Sequence, residues 1–205
     1  MNQYLIDQEH SAKGLIEMIY KEEIEFSEMQ DQAIKMHKHY DVLNSDFTTA
    51  ENSEDFSDMQ IQDKFIRMAK MGESLKKVRN DIDKIEKSIL EKEKSMISLS
   101  MSLLQIAKQG ISTVHGDLNS CPAGKSLNSE TLKNVNWQSR NQAIHSEEGN
   151  PRQPIIICFA NLEKDYGSDF DITSNPIENK AKKVIDLLGW NTYENYRIDM
   201  ISLLG

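Results

Sequence analysis

Apolar side chains recur at alternating steps of three and four from about Gln8 to Leu43. The series is Ala12, Leu15, Ile19, Phe26, Met29, Ala33, Met36, Tyr40 and Leu43, with Glu22 as its one polar member. That spacing predicts a helix with a single narrow apolar seam, and no proline interrupts it. Asn44 to Ser57 (NSDFTTAENSEDFS) is polar and rich in Ser, Thr and Asn, whose side chains compete for backbone hydrogen bonds. A loop is predicted there, with a helix start near Ser53–Ser57. A second seam follows from about Asp58 to Val114: Ile61, Phe65, Met68, Gly72, Leu75, Val78, Ile82, Ile85, Ile89, Met96, Leu99, Leu103 and Ile106. It skips one position around Lys92–Glu93, and Gly72 is its expected weak point. One helix of that length would span roughly 80 Å at 1.5 Å per residue. The two seams predict a long antiparallel helical hairpin over 8–114, pairing either within the chain or between chains.

The remainder predicts shorter helices. Gly116 to Asn128 reads as a break. A third helix is expected to start near Ser129, run through Trp137 to Glu148, and stop at Gly149-Asn150-Pro151. The apolar run Pro154 to Ala160 suits a strand or a buried helix with proline in its first turn, and the helix is preferred because no partner strand is visible. Two more helices are predicted, one from near Pro176 to Gly189 and one beginning after Asn191 or Thr192. The expected fold is an all-α single domain over 1–205, with the hairpin at 8–114 and a motif helix plus C-terminal helices over 129–205.

Composition narrows the function classes. No run of about 18 apolar residues exists to cross a membrane, and the N-terminal MNQYLIDQEH lacks a secretory pattern. Cys121 and Cys158 are the only cysteines and lack metal-ligand spacing, so they are expected to be ordinary thiols in a cytoplasmic protein, with no metal and no cofactor. The formal net charge is -9, unevenly spread. Residues 1–60 hold 4 basic and 14 acidic side chains, residues 61–115 hold 11 and 7, and residues 116–205 hold 9 and 12. The acid is concentrated in one third of the chain, so a basic surface elsewhere is compatible with the total.

One stretch combines residue types suited to chemistry: Trp137-Gln138-Ser139-Arg140-Asn141-Gln142-Ala143-Ile144-His145. A histidine can accept or donate a proton near neutral pH. An arginine stays cationic and can bind two phosphoryl oxygens at once. Asn141 can orient the imidazole or donate to a phosphate. On an ideal helix Asn141 and His145 lie roughly 40° apart, whereas Arg140 lies roughly 140° from His145. Either the arginine reaches round the helix, or two copies of the chain share their motifs. Arg79-Asn80 is also an Arg-Asn pair, but Lys84 stands where a histidine would be needed.

Arg140-Asn141 followed by His145 resembles the R-x4-6-H motif of the HEPN ribonucleases. The resemblance is specific over about 135–150 and looser over 151–205. It implies a HEPN-like helical bundle and a metal-independent RNA endonuclease that uses the RNA 2′-hydroxyl as nucleophile. It further implies Arg140, Asn141 and His145 as catalytic residues, a homodimer with a composite cleft, and a toxin or phage-defence role with an antitoxin or defence-system partner protein. Some HEPN toxins carry a modified tyrosine two residues after the histidine, where this chain has Glu147. Glu147 and Glu148 place negative charge beside a phosphate site and would need to be paired or turned outward. The competing expectation is a non-catalytic helical interaction or regulatory protein that works through its hairpin.

Other chemistry-bearing residues are weaker candidates. Ala123-Gly124-Lys125-Ser126 resembles the end of a phosphate-binding loop, but Asn119 replaces the earlier glycine. His37 and His39 point to different sides of one helix, and His10 and His115 are isolated.

Overall fold

The computed structural model describes residues 2–51 and 58–205, without the side chains of 50, 51, 58–62 and 64. The fold is all-α. Helices α1 (Gln3–Glu51) and α2 (Asp58–His115) are followed by a two-residue antiparallel ribbon, β1 (Ser126–Leu127) and β2 (Glu130–Thr131). Helices α3 (Leu132–His145), α4 (Gln153–Tyr166), α5 (Ala181–Leu188) and α6 (Tyr193–Leu204) complete the chain. It divides into two compact units, one of Met1–Glu23 with Lys94–Gly205 and the other of Ile24–Glu93.

In the Ile24–Glu93 unit, α1 and α2 run antiparallel within one chain. Lys92 pairs with Glu25, and His37 Nε2 lies 2.9 Å from Glu86 Oε1. The predicted seam turns inward: Phe26, Met29, Met36, Tyr40 and Leu43 are half-buried, and Ala33 and Ile82 are buried. Phe65 departs from its expected place and is 69% exposed. The His37–Glu86 pair is about half exposed, so the apolar seam holds this unit together more than its charges do.

One expectation fails here. Helix α1 continues through Asn44–Glu51, which polar composition assigned to a loop. The hydroxyls explain the difference: Thr48 Oγ1 and Thr49 Oγ1 each donate 2.9 Å to the carbonyl four residues back, so they are satisfied inside the helix. The expected helix start near Ser53–Ser57 lies outside the described residues; α2 is described from Asp58. Gly72 does not break α2, and no neighbouring atom lies within 4 Å of where its Cβ would be.

The other unit holds the main core. Leu103, Leu104, Ala107 and Ile111 recur on one face of α2 and are fully buried. They pack with Leu132 and Val135 of α3, Phe159 and Leu162 of α4, Val184 and Leu188 of α5, and Met200 and Leu203 of α6 in one cluster. Each fully buried aliphatic or aromatic side chain contributes about 1.5–3 kcal/mol. Gly110 admits a close approach: a Cβ there would meet the Tyr4 ring at 2.8 Å and Leu204 at 2.9 Å. The Tyr4 hydroxyl donates to Ile106 O at 2.7 Å, and burial pushes its pKa up to about 12.

Helix α3 begins at Leu132, not Ser129, because the ribbon takes up the preceding residues. The preference for helix over strand at 154–160 holds, with Pro154 in the first turn of α4. Helix α5 begins at Ala181, five residues beyond Pro176. Lys180 N donates to Gln142 Oε1 at 3.1 Å and Asn179 Nδ2 to Ala143 O at 2.9 Å, which ties the intervening turn to α3. Gly189 ends α5 in the left-handed conformation at φ 70°, and the Thr192 side chain caps α6 by accepting from Asn195 N.

Cys121 and Cys158 are both buried and unpaired, and burial raises the pKa of each thiol. Neither thiol should react with a water-soluble disulfide reagent in the folded chain, and both should react in guanidinium. Labelling followed by intact mass measures this; rapid native labelling of Cys158 would contradict its placement. Among the described residues, no helix is long and apolar enough to cross a membrane.

Candidate active site

Helix α3 is amphipathic in an uncommon way, because much of its buried face is polar. Gln142 Nε2 donates 2.7 Å to Glu178 O, which completes a clamp with the bonds from Lys180 and Asn179. With Gln142 and Ala143 held inward, the opposite face carries Trp137, Asn141, His145 and Glu148 at steps of four, four and three. The helix ends in a 3-10 turn, Ser146–Glu148, closed by Gly149 at φ 62°. The chain then doubles back through Asn150, Pro151 and Arg152 into α4, forming a second wall.

Between these walls lies a groove of about 390 Å³ lined by Trp137, Gln138, Arg140, Asn141, His145, Glu148 and residues 150–152, 154 and 155. The three residues singled out by sequence therefore line one groove. Arg140 points away from the centre of that face on an ideal helix, but it reaches round: Nη1 donates to Asn141 Oδ1 at 3.2 Å and Nε to Gln105 Oε1 of α2 at 2.6 Å. Arg140 and His145 thus line the same groove of one chain, each bonded to a different neighbour. The bond also fixes Asn141, whose oxygen accepts from the arginine, leaving its amide nitrogen to donate.

His145 Nδ1 lies 2.6 Å from Glu148 Oε1. If Nδ1 carries the proton and donates to the carboxylate, a neutral ring presents Nε2 as its lone-pair nitrogen. The side chain is 49% exposed, and among the described residues Nε2 has no hydrogen-bond partner. Glu148, which needed to be paired or turned outward beside a phosphate site, is paired with the imidazole.

Among the described residues, no carboxylate forms an ion pair with Arg140, Arg152 or Lys108. Lys108 Nζ sits 4.2 Å from the centroid of the Trp137 ring. Burial first, and then the Arg140 charge, hold its pKa below the usual lysine value. Two neighbouring cations without an acidic partner make a local positive field in a chain of net charge -9.

No protein-family model, no curated protein and no solved structure matches this chain. The groove therefore stands on its own geometry. Gln105, Lys108 and Arg152 were not expected at the site. Gln105 and Lys108 are polar positions beside the α2 seam, and nothing in the local pattern links them to α3. Arg152 was visible only as the basic residue just after the helix stop.

Two of the remaining candidates, Lys125 and His115, have structural partners. Lys125, of the phosphate-loop-like run, bonds Leu188 O at 2.9 Å and Asp199 Oδ2 at 2.7 Å. His115 Nε2 contacts Leu203 O at 2.7 Å. Among the described residues, no group of three His, Cys, Asp or Glu side chains is placed to hold a metal ion.

Proposed function

We propose that this chain is a metal-independent RNA endonuclease of the HEPN type, a toxin or phage-defence effector that acts as a homodimer. The observation that carries the reading is a groove shared by Arg140, Asn141 and His145, in which the guanidinium has no carboxylate partner among the described residues and His145 has Nε2 available. In the reaction, His145 Nε2 takes the proton from the RNA 2′-hydroxyl, and the oxygen attacks the adjacent phosphorus. The bond to the 5′-oxygen breaks, and that oxygen receives a proton. The products are a 2′,3′-cyclic phosphate and a 5′-hydroxyl. Arg140 and the Asn141 amide meet the charge that develops on the non-bridging oxygens. A second copy of the motif across a two-fold axis supplies the acid for the leaving oxygen.

Purified protein incubated with mixed RNA in EDTA should yield fragments ending in cyclic phosphate. Intact RNA after prolonged incubation of a dimeric preparation overturns the proposal, and full activity in a monodisperse monomer overturns its dimeric part.

A second reading has an observation in its favour. In the Ile24–Glu93 unit Ile24, Ile34, Val42, Phe65 and Leu90 are exposed apolar side chains, as expected of a helical interaction or regulatory protein that grips a partner. The EDTA assay separates the two.

A further inference from the structure

We propose that Trp137 is a base-stacking platform, which makes single-stranded RNA the substrate class of this groove. The inference rests on the nuclease reading for the cleavage step, but not for binding.

Trp137 lines the groove with Arg140, Asn141 and His145 while its inner side packs against the core. Helical rise places it ~6 Å before Asn141, and His145 the same distance beyond. Base platform, phosphate donors and proton acceptor thus follow one another along a single helix face, with Arg152 on the opposite wall. Lys108 Nζ lies 4.2 Å from the Trp137 ring centroid and is not part of the groove lining, whereas Trp137 is. The cation and the core contacts hold the indole in place, so little order is lost when a base stacks on it.

The groove lining carries two arginines and one glutamate among its charged residues, a net +1 with histidine neutral, which suits a phosphate backbone. A tryptophan face accepts any base, because every base has a π-face. It accepts one only from an unstacked strand, since bases within an A-form duplex are covered by their neighbours.

The test uses a short mixed-sequence 2′-O-methyl RNA, which cannot be cleaved by its own 2′-oxygen, as a single strand and annealed to its complement. Adding the single strand should quench the tryptophan emission of the wild-type protein. Of the two tryptophans, Trp190 is buried and contributes a constant background. Anisotropy of the labelled single strand should show about tenfold weaker binding by Trp137→Leu, with most of the loss restored in Trp137→Phe. The duplex should bind more weakly than the single strand. Helical circular dichroism and Trp190 emission check the fold of Trp137→Leu; if that variant does not fold, wild-type quenching and the strand-against-duplex comparison still decide.

Equal binding of single strand and duplex, or wild-type affinity in folded Trp137→Leu, overturns the proposal even if the protein cleaves RNA. Quenching by a single strand in a protein that cleaves nothing sinks the nuclease reading and supports the platform.

Discussion

Replacing His145 by alanine lowers RNA cleavage by about a hundredfold to ten-thousandfold, the range for loss of a general acid or base. Arg140→Ala lowers it by about a hundredfold to a thousandfold, the range for loss of one charge-stabilising donor. The thermal midpoint of His145→Ala should barely move, because the ring is half exposed and its bond to Glu148 is a surface pair worth about 0–1 kcal/mol. Arg140→Lys should recover little. It keeps the charge but loses the fork that holds Gln105 and Asn141 at once. The double variant should be scarcely worse than either single one, since the groups act on one transition state. Cyclic-phosphate product measured at substrate saturation is the readout. Unchanged rates in both alanine variants end the catalytic assignment.

Trp190→Ala should cost about 3–5 kcal/mol of unfolding free energy, the range for deleting a large buried aromatic. Trp190 is 1% exposed, packs edge-on against Tyr196 with ring centroids 4.9 Å apart, and donates Nε1 to Asp199 Oδ2 at 2.8 Å. Asp199 is itself buried and also pairs with Lys125 at 2.7 Å. The indole therefore joins the end of α5, the middle of α6 and the turn before the ribbon. Trp190→Phe separates the two contributions. It keeps a ring for Tyr196 but removes a donor from a buried carboxylate, for about 1–3 kcal/mol. Urea unfolding followed by helical circular dichroism measures both. A change below about 1 kcal/mol in the alanine variant contradicts the packing described for this unit.

The two substitutions mark two kinds of legibility. The long helices were readable from spacing alone, because a narrow apolar seam at three- and four-residue steps is buried efficiently only by helices. Pro154, Gly149, Gly189 and Thr192 punctuated the shorter helices through local backbone chemistry that needs no tertiary partner. Where composition misled, at Asn44–Glu51, the same hydroxyls that favour loops found helical carbonyls to bond. The start of α5 was misplaced for the opposite reason: backbone and side-chain groups before it bond α3 instead of opening a helix.

Sequence by itself determined that the chain is helical and which helix carries the Arg-Asn-His motif, because side-chain periodicity and helix caps are local properties. Tertiary structure alone decided that Arg140 is held between Asn141 and Gln105, that Arg152 faces the motif, and that Lys108 and Trp137 meet. Those placements depend on α2 lying against α3 and on the chain reversing at Gly149, and contacts between residues up to 35 positions apart leave no periodic trace along the chain.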